Sequence, residues 1–170
     1  EYITCTMYII LHYLASAGRP SSRLRGLAFS SGSLPLATAA SAAALAVVKA
    51  LINRNLFDQV QRRGADLENA LRAQFAQHEN IGDIRGRGLF WGIELVADRA
   101  TKSPLDPSLE TAKKIKSAAF EAGLICYPNS GTRDGKQGDH ILLAPPFIVS
   151  VDQIGEITEK LGKALTVALG

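Results

Sequence analysis

Two apolar periods run along this chain and mark out its elements. Leu56, Val60, Leu67, Leu71 and Phe75 recur at four- and seven-residue steps, the spacing of one face of a helix. Asn55 is placed to cap that helix, with Asp58 in its first turn, and Gly64 interrupts the stripe where a second element can approach closely. Between Ile81 and Val96 the period changes. Leu89, Trp91, Ile93 and Leu95 alternate with Phe90, Gly92 and Glu94, the two-residue repeat of a half-buried strand, and Asp83–Arg87 predicts a strand before it. Helical spacing returns over Ser108–Ala122, with Leu109, Ala112, Ile115, Ala119 and Ala122 on one face and Gly123 positioned as a left-handed C-terminal cap. Short strands are predicted at Leu124–Tyr127 and Ile141–Ala144, separated by a polar loop over Pro128–His140; Pro145 and Pro146 stop the second strand. Ser150 and Gln153 form a capping box for a last helix with Val151, Ile154, Ile157, Leu161, Ala164, Leu165 and Ala168 on its apolar face.

Upstream, Thr38–Ile52 is rich in alanine and reads as a helix whose small residues permit close packing. Gly18–Ser33 reads as a loop, and Cys5–Ala17 as a short apolar stretch interrupted by His12. The order is helix, helix, strand, strand, helix, strand, strand, helix. It predicts an α/β (α+β) fold: a two-layer sandwich of a small, mainly antiparallel sheet with helices on one face, preceded by the long Ala-rich helix. Residues 1–36 match this plan poorly and stand apart from 37–170 as an N-terminal segment and linker.

Composition adds exclusions. In 170 residues, 46% are apolar and 21% charged, the balance of an ordinary globular chain. The net charge is only +3, with basic residues alternating with acids, so no nucleic-acid partner is expected. The three histidines and two cysteines are scattered, with no metal-ligand spacing, and no metal site is expected. Leu34–Ile52 is long enough to span a bilayer, but its alanines and Lys49 favour a buried helix instead, so no membrane partner is expected. Glu1 replaces an initiator methionine, which leaves upstream processing or truncation open, and the N-terminus makes a poor signal peptide. Unpaired thiols suit a reducing compartment, and a cytoplasmic location is expected.

Against this background three segments resemble one family. Ile84-Arg85-Gly86-Arg87-Gly88-Leu89-Phe90-Trp91-Gly92-Ile93-Glu94-Leu95 is similar to the RGxGLxxGxEL segment of class III aminotransferases, pyridoxal-phosphate enzymes of fold type I. Gly138–Phe147 resembles that family's closing strand, and Ala42–Val47 the helix after its phosphate-contacting turn. The blocks occur in family order over residues 37–170 and correspond to the C-terminal small domain with the helix leading into it.

The resemblance implies transfer of an amino group from an amine or amino acid to a keto acid, a dimeric or larger assembly, and pyridoxal 5'-phosphate. Family members hold that cofactor through a lysine upstream of these blocks and set a carboxylate against its pyridine nitrogen; here no lysine precedes Lys49 and no aspartate precedes Asp58. The cofactor is therefore not expected to be held stably by this chain alone, no catalytic residue is assigned, and a homo-oligomer or a partner chain of the same family is the implied context. The family's Gly-His-Thr-Tyr turn aligns with Gly32 at the histidine and Ser33 at the threonine, making Ser33 the cofactor-phosphate candidate. Arg133 is the substrate-carboxylate candidate, its planar guanidinium suited to two-point pairing; the position where ornithine- and GABA-type members carry an arginine is Leu142. The rival readings are a non-catalytic interaction or binding domain derived from the family and an unrelated small α/β binding module. Arg85 and Arg87 read as a solvated basic pair in a turn, Trp91 as core or subunit interface, and Cys126 as an inert thiol.

Overall fold

The computed structural model describes residues 33–170, with side chains from residue 40 onward. Its contacts divide the chain into two units, one containing Gln59–Gly170 and the other ending at Asp58. The expectations for Cys5–Ala17 and for the linker up to residue 32 lie outside the described residues.

In the upstream unit, helix α1 (Ser33–Asn53) starts a turn earlier than the alanine run predicts, taking in Pro35, which a first helical turn tolerates. Leu45, Val47, Val48 and Ile52 on it are all exposed. Asn55 ends it in the left-handed region at φ 47°, its N–H donating to the carbonyl of Ile52 at 3.1 Å. The expected role of Asn55 as a side-chain cap is corrected: its amide Nδ2 donates to the Asp58 carboxylate at 2.7 Å, so the two residues bind each other.

Helix α2 (Leu56–Phe75) carries Asp58 in its first turn and Arg72 in its last, both complementing the helix dipole. Arg63–Asp66 and Glu68–Arg72 are paired along its outer surface. Leu67, Leu71 and Phe75 are fully buried. Gly64 packs directly against the backbone of Gly88: a Cβ there would sit 2.5 Å from the Gly88 carbonyl oxygen.

Among the described residues the sheet is four-stranded, wholly antiparallel, in the order β1-β2-β4-β3. β1 (Ile81–Arg87) and β2 (Phe90–Leu95) form a hairpin closed by Gly88 and Leu89. Gly88 has φ +58°, a conformation open to glycine, and its carbonyl accepts the Trp91 indole N–H at 2.7 Å. The ladder shifts register between Ile81 and Asp83. β4 (Asp139–Leu143) lies between β2 and β3 (Tyr127–Asn129). Trp91, Ile93, Leu95, Ile141 and Leu143 are buried on one face, in one core cluster with Ile115 and Ala119 of α3 (Thr111–Glu121) and Ile154, Ile157, Leu161 and Leu165 of α4 (Val151–Leu169). Helices α2, α3 and α4 thus share one core with one face of the sheet, as the alternation predicts.

Two predicted boundaries move for identifiable reasons. The helix expected over Ser108–Ala122 is split: Pro107–Leu109 forms a 3-10 turn capped by Asp106, whose carboxylate accepts the Ser108 N–H at 2.8 Å, and Glu110 breaks the run at φ 49°. Leu109 is consequently exposed and not on the apolar face. The strand expected at Leu124–Tyr127 begins only at Tyr127, because the Leu124 N–H is already engaged. It donates to Ala119 O at 2.8 Å while Gly123, at φ +78°, donates to Phe120 O at 2.9 Å, the paired bonds of a Schellman cap. The capping box of α4 forms as predicted, with Gln153 N–H to Ser150 Oγ at 3.2 Å and Ser150 N–H to Gln153 Oε1 at 3.0 Å. Val151, the first residue of that helix, is exposed and stands outside the stripe assigned to it. No single described helix is long and apolar enough to cross a membrane.

Candidate functional site

Among the described residues no helix packs on the other face of the sheet, and that face carries the polar side chains that the strands alternate outward. Register places them in rows. Asp83 of β1, Glu94 of β2, His140 of β4 and Asn129 of β3 stand in direct succession across the sheet. The next row is Arg85, Gly92, Leu142 and Tyr127. The Arg85 guanidinium donates to Asp83 at 2.7 Å and to Glu94 at 3.0 Å. The bond to Arg85, more than any other influence, holds the Asp83 carboxyl below the usual carboxylate range, and the same two acids raise the Arg85 pKa. Arg85 is therefore a strand residue in an ion-paired network, which corrects its reading as part of a solvated turn.

His140 titrates below its ordinary value. Burial is the main cause, the Arg85 cation adds to it, and Asp139 and Glu94 act in the opposite sense. Its Nδ1 is buried without a hydrogen-bond partner.

The loop between β3 and β4 holds Arg133. It is shaped by its own polar groups. Asp134 accepts the N–H groups of Gln137 at 2.7 Å and Lys136 at 2.9 Å, which lowers its pKa. The Thr132 hydroxyl donates to Gly138 O at 2.9 Å. Gly138 has φ +90°, and a Cβ there would meet Thr132 Oγ1 at 2.5 Å, so a side chain at this position would displace the bond that closes the loop. Arg133 is exposed, and its backbone N–H donates to Gln137 O at 3.0 Å. Its guanidinium has no hydrogen bond or ion pair among the described residues, which suits a group that pairs with an incoming carboxylate. Ser33 is the first residue of α1, and its side chain lies outside the described part of the chain. The two candidates fall in different units of the chain.

Cys126 is a free, half-buried thiol whose pKa burial pushes up to about 11, so it is not a nucleophile at neutral pH. A shallow groove of about 310 Å³ lies between α3 and the end of α4, lined by Lys113, Lys114, Glu121 and Val167 among others.

The row through Asp83, Glu94 and His140 is what sequence reading missed. Alternation placed Glu94 outward, but His140 belongs to a strand that pairs with β2 only after α3 and β3 have intervened.

Residues 17–165 match the family model described as aminotransferase class-III. An uncharacterized aminotransferase of Schizosaccharomyces pombe is 43% identical over 127 residues, which cover 75% of this chain and 28% of that protein. A taurine–pyruvate aminotransferase of Bilophila wadsworthia is 37% identical over 130 residues, covering 76% of this chain and 28% of that one. Among solved structures, a PLP-bound aminotransferase mutant from Vibrio fluvialis aligns with TM-score 0.66 and 34% identity over 74% of this chain and 26% of that chain. The chain spans about a quarter of the length of these relatives.

Proposed function

The chain belongs to the class-III aminotransferase family, and from that premise we propose that residues 37–170 are the C-terminal small-domain part of a pyridoxal-phosphate-dependent transaminase. Intact, such an enzyme moves an amino group from an amine or amino acid to a keto acid, the chemistry being supplied by the bound cofactor. PLP-bound solved relatives support the cofactor for the intact family. The proposal for this stretch itself is that it is inactive alone.

The observation that carries this reading is the placement of the lysines. The described residues do not fit the whole cofactor. Lys49, Lys102, Lys113, Lys114, Lys116, Lys136 and Lys163 are exposed. Lys160 is held by Glu156 and by the carbonyl of Gly123. None of these amines stands in an enclosed site facing a carboxylate, and no lysine precedes Lys49. A lysine-bearing large domain, in the same polypeptide or in a partner of the family, completes the site. In that assembly Arg133 receives a substrate carboxylate, and Ser33 offers its hydroxyl to the cofactor phosphate of the neighbouring subunit. The assembly is a homo-oligomer or a pair of family chains. A free thiol at Cys126 supports a reducing, cytoplasmic setting.

The test is titration of the 170-residue chain with pyridoxal phosphate, borohydride reduction and peptide mapping. Slow, scattered labelling of surface lysines is expected, with no transamination. A stoichiometric adduct on one lysine, with turnover of any amine, overturns the reading.

A further inference from the structure

Asp83 and Glu94 stand directly opposite one another on β1 and β2, where two like charges destabilise a strand pair. Arg85 relieves this by binding both, at 2.7 and 3.0 Å. It stands opposite Gly92, which has no side chain of its own. Beyond Glu94, in the same row, stands His140. The groups that act on the imidazole are Arg85 from β1, Glu94 from β2 and Asp139 from its own strand; β3 presents the uncharged Asn129 in the same row and the Tyr127 phenol in the next. Asp139 is in register with Leu95 and alternates toward the covered face. Of the two acids that act on the imidazole, Glu94 is therefore the one on its face.

We propose that protonation of His140 draws the Glu94 carboxylate away from Arg85, making the row a proton-sensitive latch between β1 and β2. The buried, unpartnered Nδ1 motivates it. Neutral imidazole leaves that nitrogen without a bond at modest cost. A proton taken from solvent creates a partly desolvated cation beside the Arg85 cation, with a new N–H that requires an acceptor. Glu94 faces both cations; when it turns to His140, Arg85 keeps Asp83 alone. The lowered His140 pKa agrees, since the latch resists the proton until the solution is acidic.

The experiment is an NMR titration of the 170-residue chain, following His140 Cε1, Arg85 Nε and Glu94 Cδ from pH 8 to pH 4. All three signals are expected to move together with one midpoint below 6.5, the ordinary histidine value. In His140→Gln the Arg85 movement over that range disappears. In Arg85→Gln the His140 midpoint rises by roughly half a pH unit or more. The proposal is overturned if His140 titrates while Arg85 Nε stays still, or if the Arg85 change persists in His140→Gln. The wild-type co-titration decides the question without any variant, so poor folding of a substituted chain leaves the test intact.

Discussion

Replacing Gly64 with alanine adds one methyl group to the middle of α2 at the point where that helix meets the β1–β2 hairpin. The added Cβ would lie 2.5 Å from Gly88 O and 2.7 Å from both Gly88 C and Cα. All three atoms are backbone, and Gly88 is held in turn by the Trp91 indole, so no side chain can rotate away. Relief requires the helix and hairpin to separate by most of an ångström, which in a close-packed interior costs about 3 kcal/mol. The same substitution gains about 1 kcal/mol of helix propensity. The net expectation is a loss of about 2 kcal/mol, or a fall in Tm on the order of 10 °C for a unit of this size. Gly155 supplies the control. It lies in α4, and a Cβ at that position would have nothing within 4 Å, so Gly155→Ala meets only the propensity gain and is expected to stabilise by about 0.5–1 kcal/mol. Urea unfolding followed by far-UV circular dichroism measures both as shifts in midpoint at constant m-value. If Gly64→Ala shifts the midpoint upward as Gly155→Ala does, the helix–hairpin approach is not close and the reasoning is refuted.

Three further outcomes are expected. Ser150→Ala removes the acceptor for the Gln153 N–H and should cost about 1 kcal/mol in the same urea assay. Cys126, with a pKa pushed up to about 11, should resist a thiol reagent at pH 8 in a Cys5→Ser background and react promptly once urea unfolds the chain. His140 binds a proton less readily folded than unfolded, so stability should be complete above about pH 6.5 and decline as pH falls through the depressed folded value; His140→Gln should flatten that part of the stability profile.

The elements with strong periodicity were legible in the chain. Ile154, Ile157, Leu161 and Leu165 define α4 without help, and Trp91, Ile93 and Leu95 define both β2 and its buried face. Local competition for backbone groups was not legible. Glu110 entering the left-handed region split a helix that the position of Leu109 would extend, and the Schellman bond at Leu124 delayed β3. The row through Asp83, Glu94 and His140 lay beyond sequence reading for a topological reason: Glu94 and His140 meet only because β4 inserts between β2 and β3. The exposure of Arg133, whose guanidinium has no hydrogen bond or ion pair among the described residues, became visible only once the loop was folded around Asp134.

The outer strands also determine what the sheet refuses. An antiparallel sheet that ends in free backbone groups invites another chain to add a strand, the first step of aggregation. β1 meets that hazard with its register shift at Ile81–Asp83 and with the charges of Asp83, Arg85 and Arg87, which any incoming strand would have to desolvate. β3 meets it with three residues only, the middle one Pro128, which has no N–H to offer. Among the described strands both outer ones are therefore poor templates, and edge-to-edge addition is disfavoured at each by a different chemical means.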